Sequence, residues 1–178
     1  MAAVTTDPLV ALLTRTALVL RGSVAVFATA AAILSAGPNR SWAATAVAVA
    51  VLDAATLAYV LIGRARGLGT ALIVADVLVA CGLALSLQWL VPAESASSTA
   101  GWVFTSVSIV VIVAQLGSRP LWTVPAGAGT VVAFAVGAAL AEAPGGFAST
   151  FTLAVQLAIT TAFVAVLRRA GRRAQAAA

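Results

Sequence analysis

Histidine and lysine are absent from this 178-residue sequence, cysteine occurs once, and only 8% of the residues are charged. Without histidine there is no imidazole for acid–base catalysis, metal ligation or phosphoryl acceptance. Without lysine a phosphate-cradling P-loop is excluded, although Gly63, Gly67 and Gly69 flank two arginines. The one thiol, Cys81, cannot form an intramolecular disulfide, and inside an apolar run it reads as a small buried hydrophobe rather than a reactive group. No paired nucleophile and base, no Cys/His metal spacing and no intramembrane protease motif is present. We therefore assign no catalytic, cofactor-binding or metal residues and expect no cofactor.

The scarcity of charge also decides the class. A soluble domain carries about 25% charged residues, and disordered chains are poor in apolar ones. Here 62% of the residues are hydrophobic. The 14 glycines follow no triplet period, which excludes a collagen-like chain. Strand-sized alternation of polar and apolar residues is missing and the apolar runs are continuous, so helices are expected and a barrel is not. The reading is an all-α integral membrane protein.

A membrane-crossing helix needs about 20 apolar residues. The sequence divides into a cytoplasmic or interfacial arm over residues 1–16, six spans at about 17–36, 42–62, 68–91, 101–117, 121–141 and 147–167, and a basic juxtamembrane helix over 168–178. In Thr5-Thr6-Asp7-Pro8, Asp7 can cap a first turn that Pro8 opens. Arg21 lies about 6 Å inside the first span, within snorkelling reach of the interface. Gly37-Pro38-Asn39-Arg40-Ser41, the basic loop Gly63-Arg64-Ala65-Arg66-Gly67, the polar stretch 92–100 with Glu94, Ser118-Arg119-Pro120 and Glu142-Ala143-Pro144-Gly145-Gly146 separate the spans.

Charge bias orients the bundle. With six uncleaved spans, Arg15, Arg21, Arg64, Arg66, Arg119, Arg168, Arg169, Arg172 and Arg173 fall on the cytoplasmic side and only Arg40 outside. This predicts a six-transmembrane-helix bundle in the plasma membrane with both termini cytoplasmic. A cleaved signal peptide ending at Ala28-Thr29-Ala30 is the rival for the first span, but alanine is too common here for that match to weigh much. Trp42, Trp89 and Trp102 fall at the outer boundary and Trp122 at the inner one, as in an aromatic belt.

Asp53 and Asp76 are the candidate intramembrane sites. A carboxylate at mid-span costs roughly 2.5–3.5 kcal/mol on insertion scales and usually faces the bundle interior. Both lie about 13–15 Å from the same basic loop, on helices that must be antiparallel neighbours. They can share a proton and form a cation site or polar switch. Equally, Asp53 can be satisfied by Thr56 and Asp76 by a neighbouring helix, with Arg21 the one cation in range. Gln88, Gln115 and Gln156 lie within spans and read as interhelical hydrogen-bond donors and acceptors.

Small residues recur at every fourth position in Ala46, Ala50, Ala54 and Ala58 and in Gly129, Ala133, Gly137 and Ala141, making packing faces or dimer faces. Pro125 is placed to kink or loosen the fifth helix. Arg168, Arg169, Arg172 and Arg173 follow the sixth span at helical spacing and either fix topology or touch anionic lipid. The net charge of +5 follows from topology and does not imply nucleic acid. Ala174-Gln175-Ala176-Ala177-Ala178 favours a helix continuing into the cytoplasm, so a longer native chain is expected.

The arm with Arg15 and Arg21, the short loops, Asp76 early in the third span, the junction Gln115-Leu116-Gly117-Ser118-Arg119-Pro120 and the exit Leu167-Arg168-Arg169-Ala170-Gly171-Arg172-Arg173-Ala174 carry a resemblance. Across its whole length the chain resembles the N-terminal membrane-spanning sensor regions of actinobacterial two-component histidine kinases. The resemblance implies a sensory input module, homodimeric in the bilayer, whose exit helix leads to a downstream kinase domain and, through it, a response regulator. A small transporter or channel built on the two aspartates, or an assembly subunit of a membrane complex, are the competing expectations.

Overall fold

The computed structural model describes residues 8–35, 41–96, 98, 101–117 and 120–176, and every regular element among them is helical. Asp7 with the residues before it, Gly37 to Arg40, Ser118, Arg119, Ala177 and Ala178 lie outside the described residues. The helices are α1 (Pro8–Ser35), α2 (Trp42–Arg66), α3 (Thr70–Leu85), α4 (Leu87–Leu90), α5 (Ala93–Ala96), α6 (Trp102–Leu116), α7 (Pro120–Leu140) and α8 (Gly146–Ala176).

Local chemistry accounts for several ends. Ser41 caps α2 by accepting a hydrogen bond from the Ala44 N–H at 3.2 Å. Gly67 ends α2 at φ 78°, a left-handed conformation that glycine adopts without a Cβ penalty. The helix thus continues four residues past the expected boundary at Ile62, and Arg64 and Arg66 belong to its last turn, where they complement the helix dipole. The third apolar run is not one helix: it breaks at Ser86, and α4 follows as a single turn. α7 runs unbroken with Pro125 inside it.

Four helical stretches are long and apolar enough to cross a membrane: Pro8–Leu34, Trp42–Arg66, Trp122–Leu140 and Gly146–Ala174. The other two apolar helices are shorter, 16 residues in α3 and 15 in α6. At 1.5 Å per residue they extend only about 22–24 Å, short of a hydrocarbon core of about 30 Å.

The short α6 is the axis of the molecule. Twelve of its 15 residues are buried, and α1, α3, α7 and α8 pack around it, with α2 against α1 and α3. A helix apolar on all sides suits such an enclosed position. Trp102 follows from that position: only 2% exposed, it packs in the core instead of joining an aromatic belt. Trp42, Trp89 and Trp122 are each more than half exposed. Phe104 of α6 meets Phe134 of α7 edge to face, with centroids 5.5 Å apart.

Polarity is distributed inside out. Val26, Leu34 and Phe147 are among the most exposed side chains, whereas Arg21, Asp76, Gln115, Thr123 and Thr130 are buried. Hydrocarbon around the bundle favours this arrangement, because polar groups there must find partners within the protein. Thr56, Ser106 and Thr130 satisfy their hydroxyls on the carbonyls of Leu52, Trp102 and Ala126, one turn back.

Candidate functional site

α1 presents Leu13, Ala17, Arg21, Ala25, Ala28 and Ala32 to the interior, steps of three and four residues that define one helical face. Because this face is built of alanine, a neighbouring helix approaches closely and the one long side chain on it is enclosed. Arg21 is fully buried. It stands 13 residues after Pro8 and 14 before Ser35, about 20 Å from either end of α1. The snorkelling expected of it is therefore corrected: the side chain is enclosed within the bundle instead of reaching for an interface.

Its partner is Asp76 of α3, 4% exposed. Arg21 Nε donates to Asp76 Oδ1 at 3.0 Å and Arg21 Nη2 donates to the same oxygen at 2.7 Å. The arrangement is a buried ion pair, not the parallel fork in which each donor takes its own carboxylate oxygen. Tyr59 of α2, 1% exposed, lies in the same buried cluster as Ala17, Val77 and Ala80, the residues that flank the pair. Neither Arg21 Nη1 nor the Tyr59 hydroxyl has a hydrogen-bond partner among the described residues.

Asp53 is placed otherwise. Thr29 of α1 donates its hydroxyl to both Asp53 oxygens at 3.0 Å. The two aspartates are thus each bound to α1, Asp53 through a hydroxyl and Asp76 through a guanidinium, in place of the shared-proton pair. Thr56 does not satisfy Asp53, because its hydroxyl is committed to Leu52 O. Asp53 is one position off the face that α2 buries through Leu52, Thr56, Tyr59 and Gly63, so it is only partly enclosed.

A second polar node joins the last helix to the axis. Gln115, at the end of α6 and 3% exposed, donates from Nε2 to Thr123 O of α7 at 2.7 Å. Its Oε1 accepts from the Thr161 hydroxyl of α8 at 3.2 Å. One side chain therefore ties three helices. Higher on α8, Gln156 Oε1 accepts from Ser108 of α6 at 2.7 Å. Arg168 Nη2 donates to Gly117 O, just past the end of α6. Of the four exit arginines, Arg168 alone turns inward and is half-buried, and Arg169, Arg172 and Arg173 are exposed. Gln115, Thr161, Arg168 and Arg172 border a cavity of about 200 Å³.

The small-residue stripes separate into two kinds. A methyl added at Gly137 would collide with the Ala84 carbonyl of α3, so this glycine makes a backbone-to-backbone contact within the molecule. Ala46, Ala50, Ala54 and Ala58 are all exposed. Cys81 is half-buried. Among the described residues no group of three or more acidic or cysteine side chains is placed to hold a metal ion.

Sequence reasoning singled out Asp76, Gln115 and Arg168 and named Arg21 as the one cation that could pair, but it missed Tyr59. The alanines at four-residue steps on either side of Arg21 were the available signal. Comparison of the chain with protein families, with curated proteins and with solved structures finds no match.

Proposed function

We propose that the chain is a membrane-embedded input module, a six-span bundle in the plasma membrane with both ends cytoplasmic. Its last helix passes a change in helix packing to a cytoplasmic effector such as a histidine kinase core. The observation that carries this reading is the attachment of α8. Arg168 holds the end of α6, and Gln115 links α6 and α7 to Thr161, both within the final turns before the exposed arginines. A 31-residue helix fixed in this way, about 46 Å long, moves as a rod when the core repacks. The buried pair Arg21–Asp76 supplies an element with two discrete states, paired or open, of the kind that switching requires. In the six-span arrangement α6, enclosed by longer helices, and the α3–α4 unit are the short spans. The working unit on this reading is a homodimer in the lipid bilayer, signalling to a response regulator through a kinase domain.

The test is a fusion of the chain to a kinase core, reconstituted in vesicles of varied thickness and composition. Autophosphorylation that responds to the bilayer, is reset by Asp76→Asn and is uncoupled by Arg168→Gln supports the reading. Output that ignores every membrane change and both substitutions overturns it.

A transporter or channel is the second reading, favoured by Arg21 Nη1 and the Tyr59 hydroxyl, which have no partner among the described residues inside the bundle. It predicts ion or proton flux in liposomes that Asp76→Asn abolishes.

A further inference from the structure

A crevice of about 950 Å³ opens between the N-terminal half of α1 and the C-terminal end of α2. Three arginines line it, Arg15 from α1 and Arg64 and Arg66 from the last turn of α2. All three are exposed, and among the described residues none is in an ion pair, the one salt bridge there being Arg21–Asp76. Three like charges around one opening, with no carboxylate among the described lining residues, repel one another until an anion enters. The start of α3 opens on the same crevice at Gly69, an N-cap with no side chain to satisfy the free N–H groups of the first turn.

What lies beneath the arginines identifies the anion. Val19 stands four residues after Arg15 on α1, and Val60 four residues before Arg64 on the antiparallel α2. On each helix the valine is therefore on the arginine's own face, four residues or about 6 Å further along it. Both valines line the crevice, and Val19 is 61% exposed. Leu18 and Gly63 close its back, packed so tightly that a methyl on Gly63 would press on Leu18. The opening thus has guanidinium groups at its rim and an aliphatic wall running inward from them. A soluble anion has no use for that wall.

We propose that this crevice binds the headgroup phosphate of an anionic phospholipid, held by Arg15, Arg64 and Arg66, with an acyl chain lying along Val19 and Val60. Arginine suits the role because its planar fork takes two phosphate oxygens at once. The site requires only that the helices sit in a bilayer, and it stands or falls independently of signalling through α8.

Native mass spectrometry of the full chain, released from detergent after incubation with dioleoyl phosphatidylglycerol, dioleoyl phosphatidylcholine or inorganic phosphate, reads the outcome. One phosphatidylglycerol per chain is expected to bind saturably, with phosphatidylcholine weaker by about tenfold. Arg64→Gln with Arg66→Gln weakens retention about tenfold, and Arg172→Gln with Arg173→Gln, outside the crevice, leaves it unchanged. Ala11→Phe fills the crevice while keeping every charge, and it decides the matter should the double glutamine variant fail to fold. Equal losses in the two arginine pairs mean general basic attraction and overturn the proposal. So do retention that Ala11→Phe does not reduce, equal binding of phosphatidylcholine, and displacement by equimolar inorganic phosphate.

Discussion

Arg21 and Asp76, 55 residues apart in sequence, meet through one oxygen: Nε and Nη2 both donate to Oδ1, and Nη1 is left without a partner among the described residues. The pair is therefore bound but not saturated. Removing one partner of a buried pair is far more damaging than removing both, because the survivor is an uncompensated charge. Asp76→Leu is expected to destabilise the bundle by about 3–5 kcal/mol, and Arg21→Leu with Asp76→Leu by much less. Unfolding midpoints of these two variants and of Arg21→Leu alone in mixed micelles check this, and additive losses would contradict it.

Gln115 makes two interhelical hydrogen bonds and Gln156 one. Interhelical hydrogen bonds in membranes average about 0.6 kcal/mol, so Gln115→Leu should cost roughly twice what Gln156→Leu does. Equal losses measured by denaturant titration would show that Gln115 does not bridge α7 and α8.

Gly129 and Gly137 lie two turns apart on α7 but meet different surroundings. A Cβ at Gly129 meets nothing within 4 Å, whereas one at Gly137 meets the Ala84 backbone. Gly129→Ala should stabilise by about 0.5–1 kcal/mol through helix propensity. Gly137→Ala should destabilise by about 1–3 kcal/mol, because α3 and α7 must move apart. Thermal unfolding of the two variants should shift in opposite directions.

Glu142 ends α7 in a left-handed conformation, φ 50°. The Ala143 N–H donates to Ala138 O at 3.0 Å and the Glu142 N–H to Ala139 O at 3.1 Å, the closing pattern that glycine usually provides. Glu142→Gly is expected to relieve strain and raise stability by up to about 1 kcal/mol. A lower midpoint would mean that the carboxylate has a stabilising role of its own.

The helical class and the position of each apolar run were legible in the sequence, because continuous hydrophobic stretches separated by Gly, Pro and charged residues admit little else. Pro8 marked a helix start through chemistry visible in the residue itself, whereas Ser41 was read only as part of a turn and its capping of α2 came from the structure. Neighbours were not legible. Asp53 and Asp76 stand at equal distances from one loop, yet a single position of helical phase turns Asp53 towards Thr29 while Asp76 faces Arg21. The direction of Arg21 was not legible either: its place near a span end fits a side chain reaching for the interface, and only the fold encloses it against Asp76. Trp102 shows the same limit: its place at a helix end fits a belt, and only the helices packed around α6 put it inside.

The sequence separation of Arg21 and Asp76 also has a meaning in time. Chains are synthesised at about 5–20 residues per second. With α1 already in the bilayer, its guanidinium waits roughly 3–11 s before Asp76 has been made. For that interval the first helix lacks the carboxylate that holds Arg21 in the folded bundle, although Asp53 is made 23 residues before it. The pair therefore makes the burial of α1 depend on the later arrival of α3.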